Sequence, residues 1–187
     1  MIYRYVLRLH YELKFSGTAD DVFTRIRGRV DGTIGRVIPE AVQRFSSVYE
    51  NLKSDNHEDW SNAVHSCRRI LEDLADAVFP PSDTDRTTTG EGGKQKTIKL
   101  GKTNYINRLL AFVQDRNSSE RFEQIVGSHL NFLHDRLEAT HLAAQKGSHA
   151  TILSREEADR YVVYTYMVVG DILSLLSPKE IASAESQ

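Results

Sequence analysis

The spacing of apolar residues between Trp60 and Phe79 constrains the fold most. Val64, Cys67, Leu71, Leu74 and Val78 recur every three or four positions, while Arg68, Arg69, Glu72, Asp73 and Asp76 fill the other sides. This is the pattern of an amphipathic α-helix with one buried face. Arg68 with Glu72 and Arg69 with Asp73 form i,i+4 pairs, and Pro80-Pro81 ends the helix.

The same period recurs in most of the chain. Ser154 followed by Glu157 is a capping box, with the serine oxygen free to accept from the third helical amide. Behind it Ala158, Tyr161, Val162, Thr165, Val168, Val169, Ile172 and Leu176 form one apolar face, and Val163, Tyr164, Tyr166 and Met167 occupy the other side. A helix apolar on both sides is central in its bundle or shared with a second subunit. Tyr164, Tyr166 and Met167 are therefore the candidate interface of a homo-oligomer, expected to be a dimer. A long helix carrying Phe122, Val126, Leu130, Leu133, Leu137 and Ala144 precedes it, starting at Ser118 or Ser119 and stopping at Lys146-Gly147. A shorter one from about Thr103 carries Ile106, Leu110 and Val113.

The front of the chain is less clear. From Tyr3 to Phe15 apolar and polar residues alternate as in a strand, yet Ile2, Val6, Leu9 and Leu13 also make a helical stripe. Thirteen residues without a hairpin partner make an unusual strand, so helix is preferred. Thr18 or Asp20 can cap a second helix to about Val37, and Pro39 fits the first turn of a third through Val42, Phe45, Val48 and Leu52. Between residues 82 and 99 the chain is Thr, Gly, Asp and Lys with little to bury, which predicts a flexible insertion. The expected fold is an all-α antiparallel bundle over residues 56–177, with an N-terminal helical extension at 1–55 and a flexible tail at 178–187.

A lone Cys67 cannot form an internal disulfide and suits a reducing compartment, where it reads as a buried structural thiol. The most apolar stretch, Tyr161 to Leu176, contains Asp171 and is too short to span a bilayer. The N-terminus interleaves Arg4, Arg8, Glu12 and Lys14 with its apolar residues, unlike a signal peptide. The expectation is a cytoplasmic protein with no membrane contact. A net charge of -2 excludes a general polycation, so any nucleic-acid contact must come from a local patch. Lys94, Lys96, Lys99 and Lys102 make one such patch, either a solvated loop or an RNA-contacting arm. Arg25, Arg29 and Arg36 share a helix side and read as ordinary solvent face.

Other motifs carry less. Gly90-Glu91-Gly92-Gly93-Lys94 and Gly101-Lys102-Thr103 each lack a part of a phosphate-binding loop. The seven histidines have no metal-ligand spacing; no metal or other cofactor is expected. The region from Arg136 to His149 is more informative. Arg136 and His141 stand at an Arg-x4-His spacing, and His149 follows Lys146 in a break between two strong helices. A histidine there can move a proton to or from an RNA oxygen while a cation neutralises phosphorane charge; equally, Ser148 and His149 can simply hold the turn.

The run Ala63-Val64-His65-Ser66-Cys67-Arg68-Arg69-Ile70-Leu71-Glu72-Asp73-Leu74, then Lys146-Gly147-Ser148-His149-Ala150, then Glu156-Glu157-Ala158 resembles HEPN-superfamily domains. Within them it is most similar to helical domains of bacterial abortive-infection proteins of the AbiTii-like kind. The resemblance covers about residues 60 to 176. It implies a compact bundle that commonly dimerises, and metal-independent endoribonuclease activity in anti-phage defence. Active members carry Arg-x4-6-His, with the histidine at the opening of the final helix. His149 matches by placement, but the window for its arginine holds Leu142, Ala143 and Ala144. The resemblance thus implies either a rearranged set drawn from His149, Lys146, Arg136 and His141, or a noncatalytic dimerising or sensor module with a defence-system partner.

Overall fold

The computed structural model describes the chain at residues 2–89, 95–117, 119–145, 152 and 154–184, without the side chains of residues 2, 16–21, 88–89, 96 and 140–145. It is all-α apart from one small hairpin. The helices are α1 (Ile2–Val37), α2 (Pro39–Lys53), α3 (His57–Val78), α4 (Tyr105–Arg116), α5 (Glu120–Gln145), α6 (Arg155–Leu173) and α7 (Pro178–Ala184); strands β1 (Arg86–Thr89) and β2 (Gln95–Ile98) lie between α3 and α4.

Three helix starts have a clear local cause. Asn56 caps α3 by accepting from the Glu58 amide at 3.0 Å. Ser154 accepts from the Glu157 amide at 3.2 Å, which is the predicted cap of α6. Pro39 occupies the first turn of α2. Residues 3–15 are helical, and the expected cap at Thr18 or Asp20 does not interrupt them: α1 is one unbroken helix of 36 residues.

One continuous core joins Val30, Ile34, Phe45 and Val48 to Cys67, Ile70, Leu71 and Leu74, and these to Leu130, Leu133, Val162, Val169 and Ile172. The end of α1 and the whole of α2 thus contribute to the same core as the helices that follow. Helix α6 lies at the centre, packed on α1, α2, α3 and α5. This position corrects Tyr166, which is 1% exposed rather than part of an outer face. Its ring packs on Phe45 with centroids 4.3 Å apart. Its hydroxyl accepts from Tyr49 at 2.8 Å and donates to Asp31 at 2.9 Å, tying α6 to α2 and α1. Burial, with the Tyr49 and Asp31 contacts, raises the Tyr166 pKa well above the ordinary phenol value. Cys67 is buried in the same core, and desolvation pushes its thiol up to about 12, so it is packing material rather than a nucleophile.

The insertion at 82–99 is also corrected. Arg86–Thr89 pairs antiparallel with Gln95–Ile98, Thr87 opposite Thr97 and Thr88 opposite Lys96. The β-branched threonines that made the segment look soluble also favour a pleated ladder. Arg108 pins its base. Though wholly buried, this guanidinium donates to Phe79 O at 3.0 Å and Lys102 O at 3.2 Å, and pairs with Asp76 at 2.7 Å. No single helix among the described residues is long and apolar enough to cross a membrane.

Where α1 enters the core, a Cβ at Gly170 of α6 would stand 3.1 Å from Val30 Cγ2, whereas Gly32 has open space. Gly170→Leu is expected to lose about 1–3 kcal/mol in a urea titration by forcing α1 off α6. Gly32→Ala is expected to gain up to about 1 kcal/mol by helix propensity. Equal midpoints for the two would contradict this packing.

Candidate functional site

Three buried polar atoms without a hydrogen-bond partner among the described residues converge from α3, α4 and α5: Arg68 Nε, Tyr105 Oη and His134 Nδ1. A fourth, Arg108 Nε, belongs to the hairpin clamp. The Tyr105 and His134 rings meet edge to face with centroids 5.9 Å apart. Burial raises the Tyr105 hydroxyl to about 12; the nearby Arg68 charge opposes the rise, and Glu72 and Glu138 add to it. Arg68 also pairs with Glu72 at 3.2 Å. The guanidinium thus stands beside the phenol, opposing the rise by charge and hydrogen bonding, although neither Tyr105 Oη nor Arg68 Nε has a hydrogen bond of good geometry.

Such atoms are uncommon in native proteins, because an unmet buried donor or acceptor costs about 1–3 kcal/mol. Together they offer donors from arginine and tyrosine and a histidine nitrogen of either tautomeric role. That set can hold a polar or anionic group, or position a proton. Little in the sequence points to it, since Arg68 reads as solvent charge and His134 as one histidine among seven.

Ile152, between α5 and α6, is anchored nearby. Ile152 is 2% exposed. Its amide donates to Ser61 Oγ at 3.3 Å, and its carbonyl lies 3.2 Å from His57 Nδ1. His57 in turn meets Trp60 edge to face with centroids 4.7 Å apart. Ser61 and Arg68 are seven residues apart, so anchor and polar cluster share one face of α3, about 10 Å from each other.

Lys146 and His149, expected in the catalytic set, lie in this connection but outside the described residues. His141 is in α5, with its side chain likewise outside them. Arg136 stacks over Phe132 at 5.2 Å and Tyr161 at 5.7 Å from the ring centroids, so its cation leans on the α5–α6 aromatic seam. Of the lysine patch, Lys94 falls outside the described residues and Lys96 is a β2 position opposite Thr88. Lys99 and Lys102 are exposed on an anchored base, their carbonyls held by Asn107 and Arg108. Tyr164 and Met167 are exposed on α6, Tyr164 edge-on to Phe132 at 5.6 Å. No group of three or more His, Cys, Asp or Glu among the described residues is placed to hold a metal ion.

Comparison of the chain with protein-family models, curated proteins and solved structures found no match.

Because the Tyr105 hydroxyl makes no hydrogen bond of good geometry, Tyr105→Phe is expected to leave the thermal midpoint unchanged or raise it. Loss of more than about 1 kcal/mol would mean that the hydroxyl is satisfied and the cluster is ordinary core.

Proposed function

We propose that this chain is a HEPN-like helical protein of bacterial anti-phage defence that cleaves RNA without a metal ion. The observation that carries the reading is the Ile152 anchor: three residues after His149 in sequence, Ile152 is bonded to Ser61 and His57 of α3, and Ser61 shares an α3 face with Arg68, which meets Tyr105 of α4.

In this reading His149 accepts the proton of a ribose 2'-hydroxyl. The freed oxygen attacks the adjacent phosphorus, the 5'-oxygen leaves with a returned proton, and a 2',3'-cyclic phosphate forms. Lys146, together with Arg68, neutralises charge developing on the phosphorane. The lysines at 94, 96, 99 and 102 supply salt-sensitive attraction for the RNA backbone. Arg136 and His141 contribute from α5 if the motif is rearranged.

A second reading, a noncatalytic interaction module, draws on the apolar residues left exposed on α1.

Incubation with tRNA and total RNA in EDTA separates the two. Wild type is expected to cut, leaving cyclic-phosphate ends, and His149→Ala to cut at least about 100-fold more slowly. No cutting by wild type, or equal cutting by His149→Ala, would overturn the nuclease reading.

A further inference from the structure

Helix α1 is apolar where a lone helix should be polar. Tyr3, Tyr5, Val6, Leu7, Leu9, Tyr11, Leu13 and Phe15 are all between 39% and 77% exposed, and Val22, Phe23 and Ile26 are each about 40% exposed. No described residue of α1 before Val30 is buried. At 1.5 Å per residue this arm is about 40 Å long. The exposed side chains of Tyr5, Val6, Leu9, Leu13, Phe15, Val22, Phe23 and Ile26, which share one side of the helix, amount to roughly 800 Å². That exceeds the roughly 300–600 Å² of the largest apolar patch on an ordinary monomer. It matches the approximately 800 Å² that each partner buries in a stable interface.

The register of these residues identifies what covers them. Positions 2, 9, 16, 23, 30 and 37 and positions 5, 12, 19, 26 and 33 form the two core rows of a heptad. Tyr5, Leu9, Phe23 and Ile26 are exposed members of these rows, and Val30 continues them into the buried core. Knobs of an antiparallel pair meet where the two residue numbers have a constant sum. With that sum at 28, Ile2 is opposite Ile26, Tyr5 opposite Phe23, and Leu9 opposite position 19. Polar Glu12 then falls near the centre, opposite position 16. Large apolar positions thus match at both ends, and the two-fold axis passes beside residue 14. The pairing is self-complementary, as a symmetric dimer requires.

The bundle extends the same surface. Phe23 borders a cleft of about 350 Å³ with Tyr49, Leu52, Val162 and Val163. Ile26 borders another with Met167. In the proposed register the start of the second copy's α1 reaches residues 22–26 and lies beside both clefts, adding exposed α6 residues to the seam.

We infer that the partner of the α1 arm is a second copy of this chain, paired antiparallel through residues 2–26. This dimer does not depend on RNA cleavage. Light scattering after gel filtration at about 50 µM is expected to give a dimer for wild type and for Tyr11→Asp, which lies off the seam. It is expected to give a monomer for Tyr5→Asp with Leu9→Asp. An unchanged far-ultraviolet melt of the bundle would establish that this double variant remains folded. Orientation is tested by oxidation. The double variant Tyr5→Cys/Phe23→Cys should crosslink two chains, and Tyr5→Cys alone should not. A monomeric wild type, a dimer that survives the seam changes, or crosslinking through Tyr5→Cys alone would each overturn the proposal.

Discussion

The enclosure of α6 by four other helices is the constraint on which the rest of the structure depends. Its buried residues, from Ala158 to Leu173, face α1, α2, α3 and α5 at once. Burial of a Val, Leu or Ile contributes about 1.5–3 kcal/mol against exposure, so α6 gathers much of the stabilisation in one element. It also dictates the polar contacts. Tyr166 must find partners for a hydroxyl placed among apolar neighbours, and the Tyr49–Tyr166–Asp31 chain provides them. Thr165, buried too, donates back to Tyr161 O at 2.7 Å.

The site follows from that enclosure. With α6 in the middle, Ile152, just before it, is buried against the first turns of α3 and hydrogen-bonded to Ser61 and His57. Arg68, Tyr105 and His134 lie where α3, α4 and α5 meet; there the apolar core gives way to a polar seam.

What was legible in the sequence was whatever has a local cause. The periodicity of α3, the capping box of α6, Pro39 at the start of α2 and the buried Cys67 all depend on near neighbours. Elements set by distant contacts were not. Tyr166 appeared outward because a helix wheel cannot say how many partners surround it. The burial of Arg108 has no local signal, because its acceptors are Phe79 O and Lys102 O, one of them 29 residues away. The hairpin at 86–98 was hidden by a composition equally suited to a loop. In α1, alternation and helical stripe coincide over residues 3–15, and continuation of the backbone ladder through residues 16–21 outweighed the local capping signal. Of the candidate site, the group of Arg68, Tyr105 and His134 was not readable, because it depends on three helices meeting, and the expected Lys146 and His149 lie outside the described residues.

Native-state hydrogen exchange read residue by residue tests the central position of α6 most directly. The account predicts that amides from Val162 to Ile172 exchange only through global unfolding, at the same free energy as Leu71 to Ala75 in α3. Exchange of α6 through smaller local openings, while α2 and α3 stay protected, would contradict it.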